Sequence, residues 1–437
     1  MAVPAAIDSA IPIDSTAGKP SPRSVVRRPS PGPSSASVPR ILYTITGNRP
    51  GEQAIVSNRA GTFTFVPEAQ VRNEVGYVSA FPLDEMGYRY DEGVYTAGRV
   101  RWRPQLMIGR GHGLRIVGAL DLANGRWAPR ESNGDVVADV VDNGTPPIPR
   151  TLWPVDPREL YLEWNSTLGQ LRIGQTAFTW GLGLLANDGN NMDRFGDMKF
   201  GGDAVGDIYE RILLTTRPFQ RLGGAGRDIV MALGGDLVFR DDLADLVRHD
   251  LAGQAVLVAR YEPSSKPGNW IGAYAVYRVQ DSKGDQDLYP EDDALRAGAF
   301  DLAGQGWRSL ARKLQLIGAF EAVLVTGRTS FWRDDHGDHR IISGAVAMRG
   351  YLGDHETWLA GIDGGFVSGD ADPNDRSVNG FAADPGFTAG LLMFQQVRGW
   401  QSARTQRLAE GIGLAGYPLN GTQYMPTRGS VTNAVFF

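Results

Sequence analysis

The chain has 437 residues, of which 42% are hydrophobic and 21% charged, with 56 glycines, no cysteine and a formal net charge of -5. No apolar run reaches the roughly 18 residues that a spanning helix needs, so a bundle of membrane helices is excluded. The missing cysteines exclude thiol catalysis, disulfides and Cys-based metal centres, and the mild acidity excludes a general nucleic-acid role.

Residues 1–40 read as a disordered tail. Stretches such as Lys19-Pro-Ser-Pro-Arg23 and Arg27-Arg28-Pro29-Ser30-Pro31 are rich in Pro and Ser, with almost nothing large and apolar to offset the entropy of ordering. Met1 to Asp14 lacks both a basic start and an apolar core, so no cleavable export peptide is legible there. From about residue 41 onward the pattern is of strands, expected over 62–71, 95–103, 113–125, 159–164, 171–180, 229–240, 254–262, 270–280, 310–326, 340–349, 357–368 and 386–397. Short helices are expected only over 241–249 and 403–410. The absence of a strand–helix alternation rules against a parallel α/β fold.

Many of these strands are two-faced. Arg99, Arg101 and Arg103 alternate with Gly98, Val100 and Trp102; Leu160, Leu162 and Trp164 alternate with Glu159, Tyr161 and Glu163; Leu314, Leu316, Phe320 and Leu324 alternate with Lys313, Gln315 and Glu321. Successive strand residues point to opposite sides, so each strand carries an apolar strip and a charged strip. Two architectures accept this. A soluble sandwich would leave the charged strip in solvent, whereas a membrane barrel would put it in a wet lumen and turn the apolar strip to lipid.

A resemblance bears on that choice. Arg158-Glu-Leu-Tyr-Leu-Glu-Trp164, followed by Leu171-Arg-Ile-Gly-Gln-Thr-Ala-Phe-Thr-Trp-Gly-Leu-Gly183, resembles the paired strands of alginate-export-type outer-membrane porins. Ser368-Gly-Asp-Ala-Asp-Pro-Asn-Asp375, followed by Gly380-Phe381 and Gly386-Phe387, is similar to a loop of the same family. The resemblance covers about half of the chain and implies an antiparallel barrel of about 16–18 strands. It also implies passage of carbohydrate or another polar solute, with polysaccharide export ahead of passive diffusion. The C-terminus departs from the family pattern. Phe437, Val435 and Val431 fit the expected alternation but Asn433 and Gly429 do not, and few strands follow Val397, so missing C-terminal strands are expected.

Arg99, Arg101 and Arg103 are the leading candidates for a solute-facing cluster, with Arg115, Arg172, Arg260 and Arg278 added to the lining, because guanidinium groups attract carboxylated or phosphorylated solutes. The competing reading pairs the same arginines with Glu159, Glu163 and Glu321. Asp370, Asp372, Asn374 and Asp375 offer clustered oxygen ligands of the kind calcium takes, but the spacing departs from an EF-hand and such residues dominate ordinary turns. His336 and His339, among three aspartates, are read as part of an exposed acidic loop. Gly411, Gly413 and Gly416 match a dinucleotide fingerprint without the strand and helix that it requires. Trp102, Trp164, Trp180, Tyr277 and Trp358 are assigned to aromatic girdles on the outer face.

These observations favour an all-β chain: a disordered basic tail over 1–40, then a transmembrane barrel over 41–437. It is expected in the cell outer membrane, with lipid, a polar or anionic solute and envelope export machinery as partners, and with no cofactor or catalytic residue. The alternative is a soluble secreted β-protein that binds or hydrolyses glycans, for which paired carboxylates are plentiful.

Overall fold

A computed structural model describes residues 25–26, 56–57, 63–79, 81–82, 89–90, 93–109, 113–128, 153–189, 206–241, 243–248, 250–282, 293–311, 314–330, 338–354, 358–370, 375–384, 386–387, 389 and 434–436. The long strands are β1 (Phe63–Val78), β2 (Gly93–Ile108), β3 (Leu114–Ala128), β4 (Trp153–Ser166), β5 (Gly169–Ala177), β6 (Ile208–Thr216) and β7 (Ile229–Arg240). They continue as β8 (Asp250–Tyr261), β9 (Trp270–Ser282), β10 (Asp293–Ser309), β11 (Gln315–Thr329), β12 (His339–Asp354) and β13 (Trp358–Val367).

Each long strand pairs antiparallel with the next, without interruption from β1 to β13. Short pieces at Val56–Ser57 and Ala434–Phe436 extend the two edges, Val25–Val26 adds to the first, and Ser377–Val378 lies parallel to the start of β12. Among the described residues these make one 17-stranded sheet, the large antiparallel sheet expected of a barrel. Connections at one end of the strands include 109–113, 167–168 and 310–314, while the three longest, 79–92, 129–152 and 178–207, all fall at the other end. Short turns along one rim are usual for outer-membrane barrels.

The alternation is plainest in β12. His339, Ile341, Ser343, Ala345, Ala347, Arg349 and Tyr351 are buried, while Ile342, Val346 and Met348 between them are exposed. The inner face mixes charge, small residues and some apolar side chains; the outer face between the strand ends carries only apolar residues and glycine, namely Ile342, Gly344, Val346, Met348, Gly350 and Leu352. Leu160, Trp164, Ile212, Leu233, Tyr277, Phe300, Leu324 and Ile362 stand exposed on strand after strand.

The structure corrects several expectations about elements. Strands β6 and β10 have no counterpart among the predicted ones. In β6 the apolar run Ile212-Leu213-Leu214 hides the alternation, and in β10 the inward positions mix Leu295, Ala297, Ala299, Asp301, Ala303 and Gln305, which gives no steady polar or apolar signal. The strand expected over 171–180 ends at Ala177, because Phe178 and Trp180 turn inward to pack on Tyr274 and Trp270, at ring separations of 5.5 and 5.3 Å. Within 241–249 there is a single short 3-10 turn, Leu246–Arg248. Of the strand expected over 386–397, Phe387 is buried inside the sheet and most of the remainder lies outside the described residues. The helix over 403–410, the glycine motif at 411–416 and nearly all of the tail over 1–40 lie outside them as well.

Candidate functional site

All seven arginines predicted to line the interior, Arg99, Arg101, Arg103, Arg115, Arg172, Arg260 and Arg278, occupy inward-facing strand positions. The register makes this unavoidable, since residues directly opposite in an antiparallel pair share a face. Arg103 faces Glu68, Met107 faces Arg115, and Glu163 faces both Arg115 and Arg172.

What differs is their company. Arg101 donates twice to Asp121, at 2.5 and 2.6 Å, with Asp121 wholly buried. Arg278 donates to Asp241 and to the Gln280 side-chain oxygen. These two are closed ion pairs inside protein. Arg99 reaches the Gly189 carbonyl and the Gln70 side chain, each at 3.4 Å, and is almost fully buried.

Toward the short-turn rim the picture is more open. Arg103 donates to Glu159 at 2.8 Å, while Arg115 and Arg172 share Glu163 at 3.2 and 2.9 Å. The guanidinium of Arg172 lies 4.7 Å from the centre of the Tyr161 ring. About three-tenths of each of these three arginine side chains remains exposed, whereas the glutamates are nearly buried. Arg260 pairs with Glu262 and covers the Trp270 ring. The accessible side of this cluster is therefore guanidinium.

Other inward charges carry no mark in a single strand pattern. Arg211 and Asp236 form a bidentate pair at 2.7 Å on β6 and β7, with Phe178 beneath the guanidinium. Arg240 bonds Asp156 at 3.0 Å, and Arg158 lies 3.6 Å from the same carboxylate. Arg240 and Asp156 stand on strands that are not neighbours in the sheet, so no strand pattern reveals that pair.

Residues 178–189, just after β5, leave the sheet and run through its interior. At one end the Gly189 carbonyl accepts from Arg99, and the Asp188 carbonyl accepts from Arg158. In the middle Trp180 Nε1 donates to Asp301 at 3.1 Å. The Trp180-Gly-Leu-Gly183 turn then offers its backbone to Glu321: the N–H groups of Leu182, Leu184 and Leu185 all donate to that carboxylate, the last two at 3.1 and 3.2 Å. Successive N–H groups converging on one anion form a nest. Leu184 is fully buried with Val323, Ala345, Ala347, Phe381 and Phe387. One segment thus touches the inner faces of β2 and β4 and also those of β11 and β12, so the sheet curls around it.

Two residue assignments change as a result. Glu321, which the competing reading offered as a partner for luminal arginines, instead anchors the inward turn. Trp180 was assigned to the outer girdle but is 5% exposed and lies inside. Trp102, Trp164, Tyr277 and Trp358 do stand exposed on the outer face.

The calcium candidate gains nothing. Asp370 accepts from the Asn379 N–H and Asp375 from the Ser377 N–H, as turn residues do, and Asp372 and Asn374 lie outside the described residues. His339 is buried at the start of β12, whereas His336 lies outside the described residues. Among the described residues no group of three metal-ligating side chains occurs.

No protein-family model and no curated protein matches the chain. Solved structures similar to it include OccAB1 of Acinetobacter baumannii, at 11% identity and a TM-score of 0.37, covering 69% of this chain and 65% of that one. An anion-selective porin from Comamonas acidovorans shares 11% identity at a TM-score of 0.35, covering 69% of this chain and 79% of that one. The outer-membrane protein OmpT of Vibrio cholerae shares 10% identity at a TM-score of 0.29, covering 70% and 87%. The chain spans less than two thirds of the length of the first of these. Similarity this distant leaves function to be argued from this chain's own geometry.

Proposed function

We propose that the chain is an outer-membrane channel for small polar solutes, with a preference for anions. One observation carries the reading: a sheet with charge on its inner face displays large apolar side chains on its outer face from β1 to β13. A soluble protein rarely exposes apolar area on that scale, because water penalises it. Hydrocarbon does not, and a closed sheet also satisfies every backbone group without water. The half-exposed arginines near the short-turn rim, Arg103, Arg115 and Arg172, supply the anion preference by raising local anion concentration. Residues 178–189 narrow the interior, which favours small solutes over an extended polysaccharide.

The test has two stages. Heat-modifiable migration and recovery in the outer-membrane fraction are expected; full solubility without detergent sinks the membrane reading. Planar-bilayer conductance is then compared for the unaltered chain and for Arg103→Gln, Arg115→Gln and Arg172→Gln combined. Loss of cationic charge should lower the anion-to-cation permeability ratio by about twofold or more. An unchanged ratio rejects the arginine cluster as the selectivity element.

A further inference from the structure

Beside the inward segment the interior keeps a cavity of about 200 Å³, bounded by Leu185, by residues of β6 and of β8 to β12 and by Val378, Gly380, Phe381, Ala382 and Asp384. Its wall is mostly apolar: Leu243, Val276, Leu295, Val325, Ile341 and Phe381 all face it. This is unlike the charged wall of β1 to β5.

The wall also carries three carboxylates, Asp207, Asp241 and Asp384, against a single arginine, and each of the three already accepts a hydrogen bond. Arg278 is paired with Asp241, and the Tyr209 hydroxyl donates to Asp207 at 3.0 Å. An anionic guest would shed its water to meet those carboxylates with the one arginine already paired, which is costly. One polar atom stands apart. Gln254 Oε1 is buried and has no hydrogen-bond partner among the described residues. A buried acceptor left alone is unfavourable, and a guest that donates to it removes the penalty.

Size narrows the guest further. A cavity of about 150 Å³ lined by aliphatic side chains accommodates benzene. The present cavity has room for such a ring with one polar substituent.

We propose that this chamber binds a small uncharged ring compound bearing a hydroxyl donor, a phenol by chemical class. The ring packs against Leu295, Val325 and Ile341, and the hydroxyl donates to Gln254 Oε1. The chamber belongs to the sheet and the inward segment, so it stands apart from whether solutes cross a bilayer.

Calorimetric titration of the full chain in detergent with phenol at neutral pH, corrected by titration of empty micelles, tests this. Saturable binding is expected for phenol and none for benzoate. Gln254→Leu should weaken phenol about tenfold while leaving toluene unaffected, since only the hydroxyl contact is lost. Ala299→Phe, which fills the chamber, should abolish both, and heat-modifiable migration reports that each variant is folded. If Ala299→Phe does not fold, Gln254→Leu alone decides. Binding that is absent beyond the micelle blank, that tolerates Gln254→Leu, or that takes benzoate as readily overturns the proposal. A chain that binds phenol yet conducts nothing would overturn the channel reading and leave the chamber intact.

Discussion

Arg99, Arg101 and Arg103 share one face of β2, yet they are three different physical objects. Arg103 keeps about three-tenths of its side chain exposed beside Glu159. Arg101 is locked to a wholly buried carboxylate and is itself nearly buried, and Arg99 is held by a carbonyl and an amide. A common face follows from a period of two and is legible in one strand. The partner of Arg101 is not, because β2 and β3 are joined through two register shifts, and no local pattern reports where these fall. Removing one member of a closed pair leaves the other charged and unsolvated. Arg101→Gln should therefore cost about 3–5 kcal/mol, whereas replacing Arg101 and Asp121 together by apolar residues should cost far less. Urea unfolding of the chain in lipid vesicles measures both. Equal losses would mean that Asp121 has another route to solvation.

At the scale of elements, the turn at 180–183 sets the interior. Gly181 and Gly183 have φ of 58° and 80°, a region that L residues with a side chain rarely enter. A Cβ on Gly181 would also lie 2.5 Å from Glu321 Oε2. Gly181→Ala should therefore undock residues 178–189 from Glu321 and raise single-channel conductance. Unaltered conductance with intact folding would show that this segment does not limit the path. The sequence holds the Trp-Gly-Leu-Gly motif in full view, but strand and inward turn look alike until Tyr274, Asp301 and Glu321 are known to face it.

On the short-turn rim, the Ser264 hydroxyl donates to Asp228, tying the β8–β9 turn to the β6–β7 connection, and the Glu262 N–H donates to the Asp228 carbonyl at 2.9 Å. The hydrogen bond from Ser264 holds the Asp228 carboxyl below the usual carboxylate range. A carboxyl whose folded pKa is lowered stabilises the fold in full above its unfolded value, near 3.9, and loses that contribution as pH falls through the lower folded value. Ser264→Ala should raise the pH midpoint of acid unfolding slightly. A midpoint that stays or falls would contradict this linkage.

For the whole molecule, the outer belt separates a barrel in lipid from a soluble sheet. Leu324 lies in the middle of β11 and is 53% exposed. In a bilayer Leu324→Arg should cost about 2–4 kcal/mol, the usual penalty for a lipid-facing cation near the midplane. In water the same change would be neutral or favourable. Unfolding in vesicles that shows no loss would refute the membrane assignment as directly as a failed fractionation.

The sequence by itself determined that the chain is all-β, that its strands are two-faced, and that the candidate arginines face away from the apolar strip. All of this rests on the period-two geometry of a strand, which is local. It left open which charges neutralise one another, since some pairs join strands that are not neighbours in the sheet, as Arg240 and Asp156 do across 84 residues of chain. It also left the inward course of residues 178–189 unread, because that course is decided by a carboxylate and aromatic rings more than 80 residues further along the chain. Only the tertiary structure brings those groups together, and with them comes the division of the interior into a charged wall, an apolar chamber and the segment between.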